Sequence, residues 1–297
     1  MRVLIILLIF ILGFILVLVY SLNINGMTAS IVNDFYRDKV FLEKGNSAVI
    51  NIWIDSEERL DRLKENEMKY LFVDIGDTGL NGRLLTSDSE ILSFLDFVSD
   101  YEEKNDFDFV LIPYSEINTQ RYDFTLSEFQ ENFISDYKKL VNLGFDGVYV
   151  DIEPVSIDER YEYLRFLERL NNEFSDEILV VYSGHFNYKR SDSDWIWDND
   201  FFVDVGNRVD LIFLGLYDSG SESDEDYREY IKDQLEVANL EKVNFIFGVP
   251  THKEYERIEV ALEIFEEEIF GDNVLGISVF AEWTTDDWEW KVIKNSF

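Results

Sequence analysis

Two carboxylates that lie two residues apart carry the strongest chemical signal in the sequence. Asp151 and Glu153 end the run Gly147–Glu153, whose β-branched and aromatic residues predict a buried strand. Because strand side chains alternate between two faces, Tyr149 shares one face with both carboxylates, and the apolar residues between them share the other. Like charges about 6.5–7 Å apart push the two pKa values apart, so one carboxyl stays protonated as an acid while the other ionises. The pair therefore predicts acid–base chemistry, and the alternative is two exposed carboxylates without chemistry.

A repeating pattern along the rest of the chain predicts the scaffold that positions this pair. From Ser47 onward, short β-branched or aromatic runs alternate with longer amphipathic segments. Eight runs are predicted to be strands: Ala48–Ile54, Lys69–Ile75, Phe107–Pro113, Gly147–Glu153, Ile178–Ser183, Asp210–Tyr217, Val243–Pro250 and Leu275–Trp283. Eight strands alternating with helices over about 250 residues predict an α/β fold, a (β/α)8 TIM barrel spanning 47–297. A doubly wound open sheet is the alternative, and no G-x-G-x-x-G follows the first run to support it.

Helices are predicted in the intervals between the strands. Their approximate positions are 56–66, 87–104, 125–142, 157–174, 195–207, 224–239 and 252–270, with a last helix after Thr285. Ser87 with Glu90, and Thr125 with Glu128, have the spacing of a capping box at a helix start. Barrel enzymes place reacting groups at the C-terminal ends of the strands, which is where the carboxylate pair falls.

The segment around the carboxylate pair resembles a known signature. Asp146-Gly-Val-Tyr-Val-Asp151-Ile-Glu153, followed by Pro154, is similar to the D-G-x-D-x-D-x-E motif on the fourth strand of family 18 glycoside hydrolases, the chitinases and endo-β-N-acetylglucosaminidases. One departure falls inside the motif: Tyr149 stands where the family has the first Asp of its D-x-D-x-E series. Tyr149 is therefore expected to border the substrate without supplying a carboxylate.

Two weaker matches follow in the order of the family. The segment 214–218 (LGLYD) resembles its M-x-Y-D, and Trp283 resembles the tryptophan that floors the sugar pocket. The resemblance covers the chain from 47 to 283. Two further departures occur, because Gly215 replaces the Met and the segment 112–115 (IPYS) lacks the usual S-x-G-G.

The resemblance implies substrate-assisted hydrolysis with retention of configuration, in which the acetamido group of the substrate attacks the anomeric carbon. Glu153 would act as general acid and then as general base. Asp151 would orient and stabilise the acetamido group, and Tyr217 would hydrogen-bond its carbonyl. Asp218 would assist at the same strand end, and the tryptophan would present an apolar face beneath the sugar ring.

Other residues with chemical potential receive a plainer interpretation. His185 and His252 follow the fifth and seventh runs, but a single loop histidine is more often incidental than catalytic. With 2 histidines and 0 cysteines, no zinc site is predicted, and neither is any other metal or cofactor. Trp195 and Trp197 are candidates for stacking on a further sugar. Three acidic loops lack the spacing of a calcium-binding loop and are predicted to be solvated surface: 192–194, 198–200 and 221–226.

Composition limits the classes of partner. The chain of 297 residues carries 61 acidic and 26 basic side chains, a formal net charge of −35. Such a surface repels phosphates, so no nucleic-acid partner is expected. A content of 46% hydrophobic and 16% aromatic residues excludes an intrinsically disordered chain.

The N-terminal residues predict a membrane anchor. Val3–Tyr20 contains no charged residue, and at about 1.5 Å per residue it reaches roughly 27 Å, close to the hydrocarbon thickness of a bilayer. Because this run exceeds the ~7–15 residues of a signal-peptide core, a signal-anchor over 1–22 is favoured over a cleaved signal peptide. Residues 23–46 form a lead-in. The acidic domain is expected to be anchored and extracytoplasmic, and secretion after cleavage is the alternative.

These patterns together predict a glycoside hydrolase that cleaves β-1,4 linkages next to N-acetylglucosamine (GlcNAc) in an oligo- or polysaccharide. Two other classes remain open. The first is a catalytically silent, lectin-like barrel that binds carbohydrate, since the departures from the family motif are ones that such a protein would tolerate. The second is a surface protein in which the barrel only displays an acidic face to a partner.

Overall fold

A computed structural model describes residues 40–186, 196–240, 243–251, 256–268 and 270–295. All of these residues belong to the unit Arg37–Phe297. The predicted membrane-spanning segment lies outside the described residues, as do most of the lead-in, Trp195 and His252. Within the described ranges, no helix is long and apolar enough to cross a membrane.

The described strands form one main sheet and one short pair. The strands are β1 (Asn46–Asn51), β2 (Met68–Asp74), β3 (Val110–Tyr114), β4 (Glu116–Asn118), β5 (Gly147–Glu153), β6 (Ile178–Tyr182), β7 (His185–Phe186), β8 (Ile196–Trp197), β9 (Leu211–Gly215), β10 (Phe245–Pro250) and β11 (Val274–Phe280). The order in the nine-stranded sheet is β3-β2-β1-β11-β10-β9-β6-β5-β4, and all pairings are parallel. β7 and β8 pair separately, and this pair was not predicted.

The sheet curls into a nearly closed barrel because its two outer strands are neighbours in sequence. Only Ser115 separates β3, which pairs with β2, from β4, which pairs with β5. The two strands together occupy the third of eight strand positions, so the predicted α/β TIM barrel is confirmed. The third predicted run, Phe107–Pro113, overlaps β3 alone, and β4 was not predicted.

Helices follow the strands as predicted. They are α1 (Glu57–Glu65), α2 (Asp88–Asn105), α3 (Ser127–Leu143), α4 (Arg160–Glu173), α5 (Asn199–Gly206), α6 (Asp224–Leu235), α7 (Ile258–Glu267) and α8 (Asp287–Asn295). The capping box at Ser87 and Glu90 is present. The one predicted at Thr125 is wrong, because α3 begins at Ser127 and Thr125 donates its N–H and hydroxyl to Asp123 at 3.0 and 2.6 Å. The short Asp123 side chain thus forms a local turn that delays the helix.

The strand alternation predicted for β5 holds in the core. Tyr149 belongs to the buried cluster inside the barrel, whereas Val148, Val150 and Ile152 belong to the larger cluster between the sheet and the helices. The interior cluster is rich in aromatic side chains, including Tyr70, Phe72, Tyr114, Tyr149, Phe213 and Tyr217. These rings fill the barrel below its C-terminal face, so any open space in the barrel lies at that face.

Candidate active site

A pocket of about 450 Å³ opens at the C-terminal ends of the strands. Its lining residues are Val49, Tyr114, Glu116, Tyr149, Asp151, Glu153, Tyr182, His185, Phe213, Tyr217, Asp218 and Phe280. Five of the six predicted site residues therefore meet around one cavity, and Trp283 does not. We call this cavity the carboxylate pocket.

The local pairing of β5 explains why the pocket opens beside the carboxylates. β5 pairs with β6 only as far as Val150, which lies opposite Val181. Beyond that point β5 pairs with β4 alone, with Asp151 opposite Glu116 and Glu153 opposite Asn118. The last residues of β5 therefore have a strand on one side and open space on the other.

Both carboxylates lie in the pocket with unsatisfied oxygen atoms. Asp151 is only 8% exposed, and its Oδ1 has no hydrogen-bond partner within the described residues. Glu153 is partly buried, and its Oε2 is likewise buried without a partner there. A buried and unpaired carboxylate is costly, so both groups favour the neutral, protonated form.

The electrostatics of the pocket reinforce protonation. Burial raises the pKa of Asp151, and the negative charges of Glu116 and Asp74 raise it further. Burial also raises the pKa of Glu153, and Asp151 is the next largest cause. Because like charges surround a group that burial already disfavours as an anion, Glu153 is suited to hold a proton near neutral pH.

Aromatic rings form the wall of the pocket. Tyr149 lies between Tyr114 and Phe213, with ring centroids 5.0 and 5.7 Å away. Tyr217 stacks on Phe280 at 4.4 Å, with the ring planes 17° apart. Burial raises the pKa of the Tyr149 and Tyr217 hydroxyls, so both stay protonated and can donate hydrogen bonds. The wall thus combines apolar faces with hydroxyl groups, as sugar-binding sites do.

Glycine at 215 and 248 makes room for this wall. A side chain on Gly215 would place its Cβ 2.7 Å from the Tyr217 ring and 2.9 Å from the Tyr182 hydroxyl. One on Gly248 would come within 2.6 Å of the Phe213 ring. The glycine at the family's Met position is therefore required by the packing of Tyr217 over the strand.

A buried glutamate that the sequence did not indicate holds the loop after β9. The Asp218 backbone has a φ of 55°, in the left-handed region, and its N–H donates to Glu256 Oε2 at 2.8 Å. Ser219 donates its N–H and hydroxyl to Glu256 Oε1 at 2.7 and 2.6 Å. Glu256 is only 7% exposed, and it orders the segment that carries Asp218 into the pocket. It precedes α7 by two residues, and nothing in its sequence context distinguishes it from the other acidic residues.

His185 lies at the edge of the pocket. Its Nδ1 is 2.9 Å from the Tyr230 hydroxyl, which donates in turn to the Gly215 carbonyl at 3.1 Å. Burial lowers the pKa of His185 to about 4, so the ring is neutral near pH 7.

Of the three tryptophans that were expected to contact sugar, Trp195 lies outside the described residues, and Trp197 and Trp283 do not line this pocket. β11 ends at Phe280, because the Ala281 carbonyl accepts from Thr284 and starts the 3-10 turn Glu282–Thr284. Trp283 lies in that turn and is 44% exposed. Phe280 lines the pocket where Trp283 was predicted to lie. Trp197 is 1% exposed, with its ring 4.7 Å from that of Phe201, so it is a core residue and its predicted stacking on sugar is wrong.

Comparison with solved structures places this geometry among known folds. The chain superposes on the class V chitinase of Pseudomonas fluorescens Pf-5 with a TM-score of 0.62 and 12% identity, covering 85% of this chain and 99% of that one. The spore cortex-lytic enzyme SleL of Bacillus megaterium QM B1551 gives 0.59 and 11%, covering 86% and 75%. The Group IV chitinase of Ostrinia furnacalis, solved in complex with allosamidin, gives 0.53 and 14%, covering 86% and 97%.

The chain has the fold of the chitinases. The resemblance to family 18 predicted from the sequence is therefore confirmed at the level of the fold, and the low identities fit a divergent sequence. The sequence matches no family model and no curated protein sequence.

Proposed function

We propose that this chain is a glycoside hydrolase that cleaves β-1,4 linkages next to GlcNAc with retention of configuration. The observation that carries the proposal is the environment of Glu153. Burial raises the pKa of its carboxyl, and its Oε2 has no hydrogen-bond partner among the described residues. It lies at a strand end beside a pocket with aromatic walls. A proton donor held beside a cavity that fits a sugar ring is what cleavage of a glycosidic bond requires.

The chemistry assigns a separate role to each pocket residue. Glu153 donates its proton to the glycosidic oxygen while the acetamido carbonyl oxygen of the substrate attacks the anomeric carbon and the glycosidic bond breaks. The Glu153 carboxylate then removes a proton from water, whose oxygen attacks the same carbon and releases the acetamido oxygen. Two displacements at one carbon retain its configuration. Asp151 Oδ1, which lacks a partner within the described chain, accepts the acetamido N–H, and the Tyr217 hydroxyl donates to the carbonyl.

The structural neighbours support the class of substrate. Two of them are chitinases, one of which was solved with allosamidin, and the third is a spore cortex-lytic enzyme. The aromatic wall of the carboxylate pocket offers the apolar faces on which pyranose rings stack. We accordingly propose a GlcNAc-containing oligo- or polysaccharide as the substrate.

Turnover of a chromogenic chitooligosaccharide tests the proposal directly. The expected result is release of the chromophore by the wild-type chain and almost none by Glu153→Gln. Absence of turnover across a panel of GlcNAc-containing glycans, with products analysed by mass spectrometry, would overturn it.

A second candidate function is a silent carbohydrate-binding barrel, and the observation that favours it is Tyr149. The family has a carboxylate there, whereas this chain has a ring packed between Tyr114 and Phe213. Asp151 therefore has no inward carboxylate at that position with which to share a proton. Binding on a glycan array without turnover would select this function. Neither binding nor turnover would select a barrel that only displays its acidic face.

We also propose that Val3–Tyr20 anchors the chain in a membrane with the barrel outside the cytoplasm. The support is the length and the uncharged character of that run. The full chain should fractionate with membranes, and a chain that begins at Met27 should be soluble. Recovery of the full-length product in the soluble fraction with a new N-terminus after Gly26 would instead show a cleaved signal peptide.

A further inference from the structure

A second pocket, of about 400 Å³, adjoins the carboxylate pocket. Its lining residues are Trp53, Asp74, Gly76, Asp77, Leu85, Thr86, Glu90, Tyr114 and Glu116. Tyr114 and Glu116 line both pockets, so the two form one groove that runs from the end of β5, past β3 and β4, toward the ends of β1 and β2. We call the second part the Trp53 pocket. A groove with two adjoining parts fits consecutive units of one glycan chain.

Trp53 is exposed, which suits it to stack on a sugar ring. Its exposed fraction is 54%, and it lines the second pocket together with Glu90. Gly76 lies beside it with a φ of +88°, and a side chain there would have its Cβ 2.7 Å from Thr86 Oγ1 and 3.6 Å from the Trp53 ring. The absence of a side chain at Gly76 therefore leaves room for the edge of the indole, whose exposed face can stack on a sugar ring.

The charge of the Trp53 pocket is entirely negative. Four carboxylates line it, and none of its lining residues is basic: Asp74, Asp77, Glu90 and Glu116. No salt bridge in the described part of the chain includes any of the four, although nearby acidic residues such as Asp88 do pair with lysines. Burial raises the pKa of Asp74, and the negative charge of Asp77 raises it further, as expected where no described basic residue lines the pocket.

The same groove contains an oxygen atom that lacks a partner. Asp151 is 8% exposed, and its Oδ1 has no hydrogen-bond partner among the described residues, although it lines the part of the groove that shares Glu116 with the Trp53 pocket. Native proteins rarely leave such an atom unsatisfied unless a ligand or ordered water completes it. At the β5 end of the groove this oxygen is therefore left for a hydrogen-bond donor of the glycan.

We propose that the Trp53 pocket binds a glycosyl unit with a free ammonium group, so that the substrate is a partly N-deacetylated glycan. This inference rests on the proposed function, since the acetamido sugar of the same glycan occupies the carboxylate pocket. A neutral sugar would stack on Trp53 and donate hydroxyl hydrogen bonds to the carboxylates, whereas an ammonium group would in addition pair with their negative charge. Sugars with carboxylate or phosphate groups would be repelled. The pocket therefore selects among glycans by charge.

The test compares GlcNAc tetramers that differ by one acetyl group. The probes are the fully acetylated tetramer and the tetramers with a single glucosamine at each defined position. Affinity is measured by calorimetry and kcat/KM by product analysis, both at low ionic strength. We expect one singly deacetylated tetramer to bind about tenfold more tightly than the acetylated one, the order expected for a charged hydrogen bond. Added salt should reduce the ratio of the two affinities, and chemical re-acetylation of the amine should abolish the preference.

Matched variants test whether the preference for the deacetylated tetramer depends on the Trp53 pocket or on the overall negative charge of the chain. Asp77→Asn should reduce the ratio toward one, and Asp100→Asn, at an exposed site on α2, should leave both the ratio and the turnover as in wild type. Trp53→Ala should weaken binding of every tetramer. Equal affinity for all tetramers, or a ratio that Asp77→Asn does not change, would overturn the inference.

The outcome also distinguishes this inference from the proposed function. A preference for glucosamine in calorimetry without any turnover would support the Trp53 pocket while the hydrolase proposal fails. Turnover without any preference would leave the hydrolase in place and remove the inference.

Discussion

Buried carboxylates have different hydrogen-bonding environments at the two ends of the barrel. At the N-terminal ends of the strands, Asp210 is 0% exposed, and its two oxygens accept from the backbone N–H groups of Val40 and Leu179 at 2.9 and 2.8 Å. At the C-terminal end of β5, Asp151 and Glu153 each retain a buried oxygen without a partner in the described chain.

The difference separates structural from functional use of the same chemical group. Asp210 and, at the start of β5, Asp146 join neighbouring strands, since Asp146 Oδ2 accepts from the Leu111 N–H at 2.7 Å. Each bond satisfies a backbone donor that would otherwise be buried alone. Asp151 and Glu153 each keep one buried oxygen without a partner among the described residues, so their burial costs stability and leaves these oxygens for a substrate.

The largest expected effect is on the functional end. Glu153→Gln keeps the shape of the side chain but removes the transferable proton, so kcat on a chromogenic chitooligosaccharide should fall roughly 10²–10⁴-fold, while sugar binding persists. Glu128→Gln, at an exposed position on α3, is the matched control and should leave kcat unchanged. An unchanged kcat for Glu153→Gln would refute its role as the acid.

Asp151→Asn sharpens the distinction between an enzyme and a lectin. In a substrate-assisted site the carboxylate acts mainly as the acetamido group attacks, so kcat should fall about 10²-fold and the affinity for sugar much less. Steady-state kinetics and calorimetry on one tetramer measure both quantities. In a binding-only barrel the substitution would weaken affinity, and there would be no turnover to lose. Turnover that survives the substitution would contradict the assigned mechanism.

Asp210→Asn applies the comparable substitution at the structural end. Because an amide nitrogen cannot accept from a backbone N–H, one buried donor loses its partner, and the free energy of unfolding should fall by about 1–3 kcal/mol. Urea denaturation measures this change, and kcat per folded molecule should not change. Asp100→Asn controls for the loss of charge. A fall in kcat without a loss of stability would remove the distinction between the two ends.

The pH dependence of stability tests the same comparison without any substrate. Burial raises the pKa of Asp151 and Glu153 in the folded state, so above about pH 4 these two carboxyls bind more protons in the folded chain than in the unfolded chain. Their contribution to the free energy of unfolding therefore falls as pH rises from that value toward neutrality. The double variant Asp151→Asn, Glu153→Gln should show a shallower fall and be more stable than wild type at pH 7. Urea denaturation from pH 4.5 to 7.5 would contradict this if both chains gave equal slopes.

Local patterns were enough to predict the barrel and its central strand. The period-2 alternation in Gly147–Glu153 places Tyr149, Asp151 and Glu153 on the inner face, and the structure agrees because the side-chain period of a strand is a property of the backbone. The eight strand positions follow for the same reason, since each apolar run must be buried against a helix.

Tertiary structure decided which other residues complete the site. Phe280 takes the pocket position expected for Trp283, because hydrogen bonds from Thr284 and Thr285 to the Ala281 carbonyl end β11 early. Glu256 reaches Asp218 across 38 residues of sequence, a pairing that no local pattern records. Strand periodicity depends on neighbours along the chain and can be read from it, whereas the partners of a buried carboxylate are set by which strands and loops the barrel brings together.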